Sequence, residues 1–195
     1  MSYPAAVMMV FLAALAIVAL DVVLRPVLRR TNAGAGDRPA GSSLIGWLRV
    51  AVNVAGFGCL AAAVVTGLSP ALQNNGAMTG DALITHVSVA PPFAIAAVIV
   101  AVFWANRNRF SAADWSRLIS AGGWAAPLRK LFFWISVVLA IPTLVSILAA
   151  MFPIFGTDDQ QTLVQIHRYC ALFLAGSGFL FAYFALMAWR EGSQD

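Results

Sequence analysis

Charged residues are scarce in this chain of 195 residues. Asp, Glu, Lys and Arg make up 10% of it, against roughly 25% in a typical soluble domain, whereas 61% of its residues are hydrophobic. So few charges cannot cover the surface of a soluble globular domain. The composition favours an integral membrane protein, and its length leaves room for a single transmembrane domain over residues 1–195 with no separate aqueous module.

Cysteine is also rare, and the common hydrolase motifs are missing. Cys59 and Cys170 fall in different apolar runs without a CxxC motif, which favours buried, inert thiols over a disulfide or a redox pair. No Gly-x-Ser-x-Gly elbow and no HExxH motif occurs, which argues against a membrane hydrolase. A small transporter would need polar groups along a pathway, and the apolar runs offer few beyond Asn53 and Thr66.

Five apolar runs are long enough to cross a hydrocarbon core of about 30 Å, which takes about 20 helical residues. Their limits are 4–24, 44–68, 82–105, 131–154 and 162–189. The sequence therefore predicts an all-α integral membrane helical bundle with five transmembrane helices. The first run lacks a preceding positive segment and is longer than the apolar part of a typical signal peptide. We interpret residues 1–30 as a retained helix, additional to a four-helix core over residues 44–190.

Basic residues orient the predicted bundle, because cytoplasmic connections carry an excess of Lys and Arg. The first and third connections and their edges hold most of them: Arg25, Arg29, Arg30, Arg38, Arg49, Arg107, Arg109, Arg117, Arg129 and Lys130. The tryptophans, which prefer membrane interfaces, lie at the inner ends or in the inner loop of the same arrangement: Trp47, Trp104, Trp115, Trp124, Trp134 and Trp189. We expect a bacterial inner-membrane protein with a periplasmic N-terminus and a cytoplasmic C-terminus.

The third connection contains a helix signal of its own. Ser111-Ala-Ala-Asp114 has the spacing of a capping box, with Asp in place of the usual Glu or Gln. Apolar residues follow on one side, and Gly122-Gly123 are suited to ending a helix. We expect a short helix on the cytoplasmic interface, and the alternative is an irregular loop.

Only two histidines occur, and both fall inside predicted spans. His86 is 18 residues before Trp104 and His167 is 22 before Trp189, so at 1.5 Å per residue their depths agree to about one helical turn. An ionisable group inside a membrane helix is a functional hypothesis by default, and facing helix histidines deliver axial ligands to haem. A snorkelling polar tip is the alternative for either histidine. Arg168, the one basic residue on the outer side, suits a haem propionate or a lipid phosphate.

Two segments resemble a known group of membrane proteins. H-V-S-V-A-P-P-F from His86 and I-H-R-Y-C-A-L-F around His167 are similar to the four-helix membrane cytochromes b. That group includes cytochrome b-561-type proteins and the membrane subunits of respiratory formate dehydrogenase and nitrate reductase. The resemblance implies haem b with His86 and His167 as iron ligands, and electron exchange with quinone. Many members have four histidine ligands and two haems, whereas two histidines allow only one.

The leading hypothesis is therefore an electron-carrier subunit of an oxidoreductase complex, with one bis-histidine haem b near the periplasmic face. It would exchange electrons between quinone or quinol and a periplasmic partner, such as a c-type cytochrome, an iron–sulfur protein or a dehydrogenase. Such a small chain would join other subunits of a respiratory or photosynthetic complex in the membrane lipid, with no role for nucleic acid. The alternative is a haem-free structural or accessory subunit.

Overall fold

All regular structure in the described part of the chain is helical, as expected. A computed structural model describes residues 9–10, 12, 14, 17–18, 44–73, 78–119 and 124–192. The helices with defined bounds are α1 (Leu44–Gln73), α2 (Gly80–Trp104), α3 (Ala112–Ile119), α4 (Ala125–Ala150) and α5 (Thr157–Gly192), with a 3₁₀ turn at Asn106–Asn108. The described residues between 9 and 18 are also helical. Four of the helices with defined bounds are long, and the helical residues between 9 and 18 fall in the first of the five predicted spans.

Three of the described helices are long and apolar enough to cross a membrane. They are α2, α4 and α5 as far as Ala188, and the corresponding apolar stretch of α1 is the shorter Val54–Leu68. Large apolar side chains cover their outer faces, as with Phe103, which is 72% exposed. Contiguous exposed apolar surface of this extent suits lipid and not water. Most of the predicted span over residues 4–24 lies outside the described residues.

The helices extend beyond several of the predicted limits. Helix α4 begins at Ala125 and not at 131, and α5 begins at Thr157 and not at 162. The predicted limits followed hydrophobicity, but a helix continues through polar residues wherever its backbone hydrogen bonds are made. Asp158 and Asp159 occupy the first turn of α5, where negative charge is stabilised by the helix dipole.

The four longest described helices form two pairs. Helices α1 and α2 pack along much of their length and form the first pair, and α4 and α5 form the second pair. Contacts between the two pairs are few by comparison. Each pair is antiparallel because a short connection joins its two helices. The arrangement leaves a gap between the pairs, and that gap positions the candidate site.

The N-terminal residues pack on the second pair. Ala14 belongs to a buried cluster with Ala125, Leu180 and Phe184. A Cβ atom added at Gly176 would lie 2.7 Å from Val10 Cγ1, so the absence of a side chain there allows the close approach. The described part of the N-terminal helix therefore packs on α5, and Val10 shares a cluster with Leu172 of α5 and Leu68 of α1.

The predicted capping box and its helix are confirmed. The Ser111 amide donates to Asp114 Oδ2 at 2.7 Å, and the Asp114 amide donates to Ser111 Oγ at 3.3 Å. Helix α3 then runs from Ala112 to Ile119. The expected stop signal at Gly122-Gly123 lies outside the described residues.

Asp114 also ties α3 to the second pair. Its Oδ2 accepts hydrogen bonds from Lys130 Nζ at 2.7 Å and from Ser111 Oγ at 2.6 Å, and its side chain is buried. Burial acts to raise the pKa of Asp114, but the hydrogen bonds from Lys130 and Ser111 outweigh it and lower the pKa to about 2. The connection is therefore held to α4 by a buried ion pair.

Candidate functional site

His86 and His167 lie together in the gap between the helix pairs. His86 is on α2 of the first pair and His167 is on α5 of the second pair. Their ring centres are 6.3 Å apart and their ring planes are nearly perpendicular, at 87°. Both side chains are half-buried. The structure thus brings together the two residues singled out by their matching depth in the sequence.

Helix α1 fixes the ring of His86. His86 Nδ1 lies 3.0 Å from the Ala63 carbonyl oxygen and 3.2 Å from Thr66 Oγ1. A carbonyl oxygen only accepts hydrogen bonds, so the short contact with Ala63 requires a hydrogen on Nδ1. A neutral imidazole carries one hydrogen. Nε2 of neutral His86 therefore has a free lone pair.

Gly67 gives the His86 ring room against α1. A Cβ atom added at Gly67 would lie 3.2 Å from His86 Cε1 and 3.5 Å from His86 Nδ1. The first distance is tighter than ordinary van der Waals contact. A side chain at this position would therefore press on the ring that Ala63 and Thr66 hold.

Helix α4 fixes the ring of His167 in the corresponding way. His167 Nδ1 lies 2.8 Å from the Thr143 carbonyl oxygen, so this nitrogen also carries the hydrogen. The Thr143 hydroxyl instead donates to the Leu139 carbonyl at 2.7 Å. Each histidine is thus oriented by a backbone carbonyl of the other helix in its own pair, and both neutral rings keep the Nε2 lone pair.

The paired rings have the separation expected for coordination of one metal ion. A metal–imidazole bond of about 2.0 Å, with nitrogen about 1.15 Å from the ring centre, places two rings on opposite sides of an ion about 6.3 Å apart. Direct aromatic contact also covers this range, so the distance fits both arrangements. Within residues 44–73, 78–119 and 124–192, no hydrogen bond involves Nε2 of either ring. Each Nε2 is therefore open to a further contact, which a metal ion can supply.

An apolar cavity of about 280 Å³ lies between the two pairs, and its lining includes neither histidine. All four helices line it, with Leu60 on α1, Phe93 on α2, Leu144 on α4 and Leu174 on α5. The one hydroxyl in the lining belongs to Ser136, and it is already hydrogen-bonded to Phe132 O and Ser177 Oγ. The cavity is therefore suited to an apolar group.

Arg168, the third predicted site residue, lies at the same end of the bundle as three acidic residues. Arg168 follows His167 on α5 and is exposed. Asp81 begins α2, Asp158 and Asp159 begin α5, and all three are exposed. No group of three or more His, Cys, Asp or Glu side chains suited to a metal ion occurs in the described part of the chain. A bis-histidine haem needs only two.

Sequence reasoning did not identify the groups that orient the histidines. The carbonyls of Ala63 and Thr143 belong to the backbone and leave no residue-specific signal in the sequence. Thr66 and Gly67 were visible as a hydroxyl and a small residue in an apolar run. Both lie in the C-terminal half of α1, and His86 lies near the start of α2. This matching position was the signal that could have connected them to His86.

Searches of protein-family models, of curated proteins and of solved structures found no match to this chain.

Proposed function

We propose that this chain is a membrane electron-transfer subunit that binds one haem b between His86 and His167. The observation that carries the proposal is the geometry of the two rings. Both Nδ1 atoms are held by backbone carbonyls, and the ring centres are 6.3 Å apart. Hydrogen-bonding of the outer ring nitrogen to a carbonyl is how metal-bound histidines are oriented in general.

The rest of the cofactor would lie between the helix pairs. Contacts between the pairs are few, and all four helices line an apolar cavity there. Arg168, adjacent to His167 and exposed, is suited to pair with a propionate. When bound, a six-coordinate haem b supplies one-electron transfer and leaves no open position for oxygen.

The roles of the protein groups follow from this placement. Ala63 and Thr143 hold the two imidazoles in the tautomer whose Nε2 would bind the iron. Apolar side chains of all four helices exclude water from the lower part of the gap. The exposed acids Asp81, Asp158 and Asp159 lie at the same end and are available to take up protons released by a quinol.

Electron exchange takes place on the outer side of the membrane in this proposal. One haem near the outer helix ends leaves no second haem to carry electrons to the inner side. The chain therefore exchanges electrons between quinone or quinol and a periplasmic redox protein, as part of a larger complex in the bacterial inner membrane. The predicted orientation, with the N-terminus periplasmic, belongs to the same proposal.

The test is a reduced-minus-oxidised absorbance spectrum of protein purified in mild detergent, before and after addition of haem. We expect a sharp b-type signal that is lost in His86→Ala and in His167→Ala. Gly58→Ala is the matched control, because a Cβ atom at Gly58 meets nothing within 4 Å, and it should keep the signal. A helical parent protein that binds no haem would instead favour a haem-free accessory subunit.

A further inference from the structure

The two histidines differ in the number of acceptors at Nδ1. His167 Nδ1 is hydrogen-bonded to the Thr143 carbonyl alone among the described residues. His86 Nδ1 contacts the Ala63 carbonyl at 3.0 Å and also Thr66 Oγ1 at 3.2 Å. The second acceptor is the side-chain hydroxyl of Thr66, so a substitution at this position can remove it.

The Thr66 hydroxyl is oriented to accept from His86. Thr66 Oγ1 lies 2.7 Å from the Ala62 carbonyl and 3.3 Å from the Ala63 carbonyl. Since a carbonyl cannot donate, the hydroxyl hydrogen points to α1's own backbone, and the shorter distance selects Ala62. Oγ1 can then accept the hydrogen of His86 Nδ1 at 3.2 Å, and the Ala63 carbonyl and the Thr66 hydroxyl share that hydrogen.

We propose that Thr66 is a positioning residue that makes His86 the more electron-donating of the two haem ligands. The inference rests on the proposed function. Acceptors that draw on the Nδ1 hydrogen increase the negative character of an imidazole and its basicity toward a metal. A more basic ligand stabilises ferric over ferrous iron. Thr66 therefore lowers the reduction potential of the bound haem. It also makes the two axial ligands unequal in basicity.

The test compares Thr66→Val with the parent protein by spectroscopic redox titration. Valine keeps the shape of threonine and removes the hydroxyl. The potential responds to the difference in strength of this hydrogen bond between ferric and ferrous haem, which is smaller than the whole bond. We therefore expect the one-electron reduction equilibrium to move about 3-fold toward the reduced state, a rise in potential of about 30 mV. Thr66→Ser, which keeps a hydroxyl, should stay close to the parent potential.

Thr162→Val is the matched control. Thr162 Oγ1 donates to the Asp158 carbonyl four residues earlier, at 3.0 Å, as Thr66 does to Ala62. Within the described residues it makes no hydrogen bond to a histidine. Its substitution therefore removes the same local hydrogen bond without touching Nδ1, and the potential should not move.

The outcomes separate this inference from the proposed function. A haem-bound Thr66→Val with the parent potential, or an equal shift in Thr162→Val, overturns the role of Thr66. If Thr66→Val takes up no haem, Thr66→Ser becomes the deciding variant. A potential of Thr66→Ser close to that of the parent protein supports the role of Thr66. Loss of haem in Thr66→Ser as well overturns it. A parent protein without haem would overturn the proposed function and the ligand role with it. Nitrogen NMR of His86 in that haem-free protein would still measure whether Thr66→Val changes the Nδ1 hydrogen bond.

Discussion

His86 and His167 approach each other from separate helix pairs, and each ring is held by the partner helix within its own pair. His86 Nδ1 is bonded to Ala63 on α1, and His167 Nδ1 is bonded to Thr143 on α4. The rings meet where contacts between the two pairs are otherwise few. A metal ion bound by both rings would therefore join the two halves of the bundle.

The first prediction concerns that link. Cys59 on α1 and Cys170 on α5 are half-buried and are the only cysteines in the chain, so spin labels on them report the separation of the pairs. We expect a narrow distance distribution in the haem-bound protein and a broader one in His167→Ala, because metal binding and packing are coupled. Pulsed electron paramagnetic resonance measures both distributions. Distance distributions of equal width would mean that helix packing alone fixes the separation of the two pairs.

The second prediction concerns the space beside His86. In Gly67→Ala the new Cβ atom would lie 3.2 Å from His86 Cε1, so the ring or α1 must move. Overpacking of this kind costs about 1–3 kcal/mol, and we expect weaker haem binding by about 5- to 150-fold. Haem titration followed by absorbance measures the change. Gly58→Ala, on the same helix but facing open space, should bind haem like the parent protein.

The third prediction is a pH dependence set by Asp114. Its pKa is lowered from 3.8 to about 2 in the folded protein. A lowered pKa stabilises the fold above the ordinary value, so this contribution is full above about pH 4 and is lost as the pH falls to about 2. The difference corresponds to about 2 kcal/mol. Thermal unfolding in detergent between pH 5 and pH 2 measures it.

Two variants check the origin of that pH dependence. Asp114→Asn removes the titrating carboxyl group, and Lys130→Met removes the cation that lies 2.7 Å from it. Both should lower stability at pH 5, and both should show a smaller further loss between pH 4 and pH 2 than the parent protein. An unchanged pH slope in both variants would assign the acid sensitivity to other carboxylates.

The sequence predicted the helical class, the capping box at Ser111 and the proximity of His86 to His167. These features depend on local patterns, since apolar runs, a four-residue spacing and the depth along a helix can be read from the chain directly. The starts of α4 and α5 were placed too late, because hydrophobicity marks where a helix contacts lipid and not where its hydrogen bonds begin.

The histidine contacts could not be predicted in the same way. The rotation of each helix about its axis decides whether Ala63 or a neighbouring residue offers its carbonyl to His86, and apolar runs do not determine that rotation. Helix α2 is apolar on all sides, so it has almost no preferred face. Only the packing of α1 on α2 places Thr66 and Gly67 at the ring.

The fourth prediction follows from the angle of 87° between the two imidazole planes. Each imidazole interacts through its π system with one of two iron d orbitals, so perpendicular rings leave the two orbitals close in energy. Oxidised haem held between His86 and His167 should then give a highly anisotropic low-spin signal in low-temperature electron paramagnetic resonance. Parallel rings would separate the orbitals and give a rhombic signal.

The prediction depends on the hydrogen bonds that hold the two rings in this chain. Ala63 and Thr66 fix the plane of His86, and Thr143 fixes the plane of His167. If these hydrogen bonds persist with iron bound, the anisotropic signal is retained in Thr162→Val, whereas Gly67→Ala, which presses on the His86 ring, shifts it toward the rhombic form. A rhombic signal in the parent protein would show that haem binding rotates one ring out of its hydrogen bond, and the orientation by backbone carbonyls would then not survive coordination.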